Sequence, residues 1–175
     1  METIKSLVDK LVQTESISKQ VKILQETNTL FLTKYMLEID DNFRLYPIEV
    51  EAYYYNEKNF PDTCVHQNKL QKNNFNKLYF HRASKEPDKS FLYDRGGVDV
   101  CISDDDNYYF GILIRSAWIK DEEEPICGPG RLTRYIVEHI CGDKIIKKIT
   151  EKEIVKIEEL EKKSIIRVND QTILR

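Results

Sequence analysis

"IEVEAYYYNE", residues 48–57, decides how the rest of the chain is read. Along a strand, successive side chains point to opposite faces. Ile48, Val50, Ala52 and Tyr54 then share one face, and Glu49, Glu51, Tyr53 and Tyr55 share the other. If the second face meets water, the acids are ordinary. If it lines a cleft, Glu51 beside Tyr53 sets a carboxylate against a flat aromatic wall, which suits a ring-shaped ligand.

A second stretch, "GILIRSAWI" (111–119), interrupts an apolar strand with Arg115. A guanidinium withdrawn from water without a partner costs several kcal/mol. Arg115 therefore needs an anion or an opening to solvent, and Glu51 is the obvious counter-ion. The two strands are expected to lie near each other, with Glu51 and Arg115 meeting in a pocket. The alternative is an ion pair that only fixes strand register.

Around these strands the pattern changes period. Ile4, Leu7, Val8, Leu11 and Val12 recur at helical spacing over 3–14, and further helical stretches follow near Ser18–Glu26 and Thr29–Leu37. Residues 56–77 form a long polar connection, of a kind usually functional or mobile. Strand candidates follow: "LYFHRA", "SFLYD", "GVDVCIS" and "YYFGILIRSAWI", with "SDDDN" as a hairpin turn between the last two. "CGPG" precedes a helix over Leu132–Ile140, either as a plain turn and cap or with free N–H groups that favour an anion. Thr150 and Glu153 read as a capping box that starts a charged helix to about Lys163. "SIIRV" reads as a last edge strand. Helices at both ends of a run of strands indicate a single α+β domain over 1–175, with a curved, mostly antiparallel, open-barrel-like sheet flanked by helices.

The bulk composition narrows the function class. At 175 residues, 41% hydrophobic and 33% charged, the chain has material for one sizeable core. No apolar run approaches the ~20 residues of a membrane span, so no membrane partner is expected. The N-terminal residues lack an apolar block with a small-residue cleavage site. Cys64, Cys101, Cys127 and Cys141 are scattered and form no C-x-x-C pair, so a reducing cytoplasmic setting is expected rather than a disulfide frame or zinc site. Phosphate-loop, dinucleotide, nucleophile-elbow and H-E-x-x-H signatures are absent, and neither a cofactor nor a metal is expected. His81, Arg82, Arg95 and Asp99 add polar groups inside strand-like segments. Each fits a solvated face alone, and together they fit a polar cleft.

Taken in order, "EVEAY" (49–53), His66, "NKLYF" (76–80), "LIRSA" (113–117) and "GPGRL" (128–132) resemble the motifs of the 3-methyladenine (alkyladenine) DNA glycosylases. The resemblance covers roughly residues 25–140, with 1–24 as an N-terminal helical extension and 141–175 as a divergent C-terminal helix and edge strand. It implies a monofunctional hydrolase that flips a damaged purine out of double-stranded DNA and directs water at the sugar carbon bearing it. By this resemblance Glu51 activates the water and Arg115 holds it, while Tyr53 and His66 enclose the base. An arginine beside Glu51 would favour the carboxylate form that a general base requires. Asn76, His81, Arg82, Arg95 and Asp99 are further candidate contacts. A bacterial protein of this kind would be nucleoid-associated, a eukaryotic one nuclear.

The sequence also departs from that pattern. Arg95 falls where the family inserts a tyrosine into the duplex, Ile102 where it has a base-discriminating asparagine, and Phe75 where an arginine is expected. The net charge of −3 is unhelpful for a polyanion partner. A locally basic segment (Lys69, Lys72, Lys77, Arg82, Lys85, Lys89 and Arg95) could supply one positive face. Two other readings follow: an N-glycosidic hydrolase or binder of a modified nucleoside or single-stranded nucleic acid, and a non-catalytic interaction module.

Overall fold

The computed structural model describes residues 3–93, 95–142, 146 and 148–169. In chain order the elements are α1 (Ile4–Gln13), α2 (Ile17–Lys34), β1 (Tyr35–Glu38), β2 (Arg44–Tyr55), β3 (Lys77–Phe80), β4 (Val98–Cys101), β5 (Tyr109–Ile119), β6 (Ile126–Cys127), α3 (Pro129–Cys141), α4 (Glu151–Leu160) and β7 (Ile166–Val168). They build one α+β domain whose curled sheet has the order β3-β4-β5-β2-β1-β7, with β6 pairing to β5. The described pairings are antiparallel. Among the described residues no helix is long and apolar enough to cross a membrane.

Strand alternation divides the sheet into two chemical faces. Tyr54, Leu78, Phe80, Val98, Val100, Phe110, Ile112 and Ile114 join one core with residues of all four helices. Burying each such side chain stabilises by about 1.5–3 kcal/mol. α1 contributes Ile4, Val8 and Leu11 to that same core, so the first helix is built into the domain rather than appended to it. The opposite face carries Glu51, Tyr53, Asp99, Arg115 and Tyr79.

Several elements differ from the sequence expectation. The two helical stretches over 18–37 are one helix, α2, followed directly by β1. No Gly or Pro interrupts it, and Thr27, Thr29 and Thr33 return their hydroxyl protons to the carbonyls of Ile23, Gln25 and Thr29 instead of breaking the turn. The described part of "SFLYD", residues 90–93, is not a strand. It contributes only a bridge from Phe91 to Arg82, because Phe91 is held as a platform under the Arg82 guanidinium, 4.2 Å from its ring centre. The charged C-terminal helix is capped as expected, with the Glu153 carboxylate accepting from the Thr150 N–H at 2.8 Å. The last strand candidate forms β7 at the sheet edge, beside β1.

The strict alternation of 48–55 also fails at its first residue. Pro47 opposes Ala117, Glu49 opposes Ser116 and Val50 opposes Ile114. Ile48 is thus an extra residue in β2 and Arg115 an extra residue in β5, two bulges within three positions. A bulge redirects the side chain it carries. Ile48 is accordingly 41% exposed instead of facing the core.

Candidate functional site

The double bulge turns Arg115 toward the two acids of β2. Its Nη1 donates to Glu51 Oε1 at 2.9 Å, and its Nε lies 3.2 Å from Glu49 Oε1, an ion pair without hydrogen-bond alignment. Gly128, at the start of α3, donates its N–H to the Arg115 carbonyl at 2.9 Å and anchors the bulge from behind. Gly128 has φ +97°, which glycine adopts without steric cost. Tyr53 donates its hydroxyl to Glu51 Oε2 at 2.7 Å. Each Glu51 oxygen therefore has one protein donor, with lone pairs left over. Burial pushes the Tyr53 hydroxyl up to about 12, and its bond to Glu51 adds to that. Tyr53 thus stays a proton donor to the carboxylate at neutral pH.

Arg115 and Glu51 meet where both reach solvent. Their side chains are 37% and 39% exposed. Arg115 therefore satisfies both conditions set by its place in an apolar strand: it has an anion and it reaches solvent.

A second polar cluster lies on the same face. Tyr79, Asp99, Leu113 and Glu51 stand opposite one another across β3, β4, β5 and β2. Asp99 is buried; its Oδ1 pairs with His81 Nε2 at 2.8 Å and its Oδ2 accepts from Gln71 Nε2 at 2.8 Å. The long 56–76 connection folds over this end of the face and delivers Gln71 and His66. His66 Nδ1 shares a hydrogen bond with the Tyr79 hydroxyl, and its ring lies 5.0 Å from that of His81. The Tyr79 oxygen also accepts the Arg82 backbone N–H at 3.4 Å.

The two histidines shift in opposite directions. Burial and the charge of His81 lower His66. Burial would lower His81 as well, but the charge and hydrogen bond of Asp99 outweigh it and raise the group. His81 therefore contributes stability that is complete below about pH 6.5 and is lost as pH rises through its folded value. His66 does the reverse: its contribution is present above about pH 6.5 and is lost as pH falls. In urea titrations between pH 5.5 and 8, His81→Gln should make stability rise with pH and His66→Gln should make it fall. Parallel profiles would contradict the assignment of charge to His81 alone.

Gly111 makes room for the second cluster. A Cβ there would stand 2.9 Å from Asp99 Oδ2 and 3.3 Å from Gln71 Nε2. Gly111→Ala should destabilise by about 1–3 kcal/mol through overpacking, read as a lower urea midpoint. An unchanged midpoint would show that the Asp99–Gln71 contact is loose.

Four of the expected site residues, Glu51, Tyr53, His66 and Arg115, thus lie on one face, with His81 beside them. The others separate. Asn76 is a structural residue: at φ +64° its Oδ1 accepts from the N–H groups of Ile165 and Ile166 and ties β3 to β7. Arg82 is also structural, 2% exposed, with its guanidinium on Glu161 of α4. Asp99 is buried, its side chain 3% exposed, and its oxygens face His81 and Gln71 instead of solvent. Arg95 is exposed on the turn before β4 and lines a cavity of about 490 Å³ with Lys89, Phe91 and Lys148. Ile102, at the discriminating position of the resemblance, is wholly buried in the core.

The expected basic face is partly neutralised within the chain. Lys69 pairs with Glu86 at 2.7 Å, Arg82 with Glu161 at 2.7 Å and Lys89 with Glu151 at 2.8 Å, while Lys72 sits over the Tyr109 ring. Sequence reading missed Gln71, Tyr79 and Tyr109. Tyr79 was accessible by alternation, two residues before His81; Gln71 lies in a connection with no period to read. Among the described residues no group of three His, Cys, Asp or Glu side chains is placed to hold a metal ion, and none of the four cysteines is in a disulfide. No protein-family model matches the chain, no curated protein matches it in sequence, and no solved structure matches it in fold.

Proposed function

We propose that the chain is an N-glycosidic hydrolase that removes a modified purine from DNA, with Glu51 as the base that activates water. The observation that carries this reading is the convergence of Arg115 and Tyr53 on the two oxygens of a solvent-reaching Glu51. A carboxylate so held can accept a proton from water and stabilise the positive charge that develops on the sugar as the base departs. The partly exposed rings of Tyr53, His66 and His81 on the same face offer surfaces on which a flipped base can stack, with buried Tyr79 packed behind the histidines. Motif order and spacing, from "EVEAY" to "GPGRL", supply the choice of substrate class.

Two observations favour a second reading, in which the substrate is a modified nucleoside or a single strand. Ile102 is buried in the core and cannot read a base. Three of the seven basic residues that would grip phosphates are already paired with acids. The test is release of free base from one modified purine presented in duplex DNA, in single-stranded DNA and as a free nucleoside. Fastest release from the duplex supports the first reading. Fastest release from the nucleoside or single strand supports the second. No release from any of the three contradicts both.

A further inference from the structure

We infer that the cavity between the β3–β4 connection and the segment leading into α4 is a binding site for a small aromatic phosphate monoester, of the size of a mononucleotide. It is built by other residues than the Glu51 face and does not rest on the hydrolytic reading of that face.

Two segments form the walls. The connection after β3 supplies residues 89–93 and 95, and the segment leading into α4 supplies Lys148, Ile149 and Ile154. The volume of about 490 Å³ falls within the range of small-molecule sites, about 300–1,000 Å³.

The charges of the lining call for an anion. Its described residues include three cations, Lys89, Arg95 and Lys148, and no acid, in a chain whose formal net charge is −3. A smaller cavity of about 260 Å³ beside α4 is balanced instead: there Lys77, Arg82 and Lys162 are matched by Asp88, Glu158 and Glu161. Arg95 and Lys148 are exposed and form no ion pair among the described residues. Lys89 holds Glu151 at 2.8 Å, but both side chains are more than half exposed. Surface pairs of that kind are weak, so an incoming anion can share the lysine. Two lysines and an arginine around one hollow suit a dianion, and the guanidinium can offer a phosphate two parallel donors.

The floor calls for a flat apolar body. Phe91, Leu92, Tyr93, Ile149 and Ile154 form it, and Leu92 stays 36% exposed. Its aromatic side chains are held in place: Phe91 by the Arg82 guanidinium, and Tyr93 by its hydroxyl, which donates to Glu138 Oε1 at 2.8 Å. The backbone is held too. Leu92 N–H donates to the His81 carbonyl and Ala83 N–H to the Ser90 carbonyl, both at 2.9 Å. Gly96 N–H closes the 92–96 turn on the Leu92 carbonyl at 2.9 Å. A Cβ on residue 96 would stand 2.3 Å from that oxygen, so a side chain there would force open the turn that brings Arg95 to the rim. A site formed in advance gives up less freedom when its ligand binds. A nucleic-acid strand fits less well, because the three cations line one hollow with an apolar floor.

The test is titration calorimetry of the full chain with uridine 5′-monophosphate, a pyrimidine chosen so that purine binding on the Glu51 face does not enter. Uridine and inorganic phosphate are the half-ligands, and a single-stranded oligouridylate is the polymer. The monophosphate should bind at least about tenfold more tightly than either half-ligand, the scale of one charge-assisted hydrogen bond. Replacing both exposed cations, Arg95→Ser with Lys148→Ser, should weaken it by at least about tenfold while the melting curve stays in place. Glu51→Gln should bind it as wild type does. No measurable binding, or equal affinity for the monophosphate and either half-ligand, would overturn the assignment. So would an affinity that survives the double substitution. An oligouridylate held much more tightly than the monophosphate, and released by the same double substitution, would also overturn it and make the cations a grip on a phosphate backbone. None of these results bears on base release, which tests the hydrolytic reading separately.

Discussion

Glu51→Gln is expected to lower base release by about 10³-fold or more while leaving the fold intact. Glutamine keeps the shape of the side chain, and its amide oxygen can still accept from Arg115 or Tyr53. It cannot take a proton from water or present a negative charge to a cationic sugar. Those two contributions, general-base and electrostatic, are each typically worth 10²-fold or more. The structural cost should be small because the Arg115–Glu51 pair is more than a third exposed, and ion pairs of that kind contribute about 0–1 kcal/mol. Thermal melting should therefore be nearly superimposable on that of wild type. Release at the wild-type rate would remove Glu51 from the chemistry and leave the pair as a register device between β2 and β5.

Arg82→Met is expected to have the largest effect on stability. Arg82 donates to Glu161 Oε1 and Oε2 at 2.8 and 2.7 Å, to the Phe80 carbonyl at 2.8 Å and to the Asp88 carbonyl at 2.7 Å. Glu161 also accepts from the Phe80 N–H at 2.9 Å. The guanidinium thus joins the end of β3, the loop after it and the residue that closes α4. Methionine restores the volume but leaves the Glu161 carboxylate and two carbonyls without their donor. Removing one member of a buried pair costs about 3–5 kcal/mol, which for a chain of this size is about 10 °C in Tm. Glu161→Gln should cost less, because its amide oxygen can still accept from Arg82. A loss below about 1 kcal/mol for Arg82→Met would show that α4 is held by its apolar contacts alone.

Arg82 also shows where sequence reading stops. Its place as a polar group inside a strand-like segment made it look like a ligand contact, because its partner lies 79 residues later and no local pattern points there. The same holds for Asn76, whose partners are Ile165 and Ile166 N–H groups. Long-range pairing of this kind carries no periodic signal. The strands that carry Glu51 and Arg115 were legible because alternation and apolar runs are local, and a lone charge in each run suggested their pairing. The paired bulges were not legible, since an extra residue in each strand leaves the alternation unbroken in the text and changes only the register. They explain why Ile48 faces solvent and why Arg115 does too. The continuous α2 was hidden by its threonines, which are weak helix formers whose hydroxyls bond back to the helix carbonyls.

The polar face as a whole was half legible. Glu51, Tyr53 and His66 stand in motifs, and His81 stands in a strand-like segment. That Asp99 and Gln71 serve His81, instead of meeting a ligand themselves, depends on the fold of the 56–76 connection over β4. The basic segment looked like a phosphate-binding face because two of its acidic partners, Glu151 and Glu161, lie far along the chain.

The most direct measurement is binding of a duplex that carries a pyrrolidine abasic analogue, whose ring nitrogen is protonated and imitates the charge on the sugar at the moment of cleavage. Wild-type chain should hold it at least a hundredfold more tightly than an undamaged duplex of the same sequence, as transition-state mimics are held, and Glu51→Gln should erase most of that preference. Equal affinity for the two duplexes, or a preference that survives in Glu51→Gln, would contradict a hydrolytic role for the Glu51–Arg115 pair.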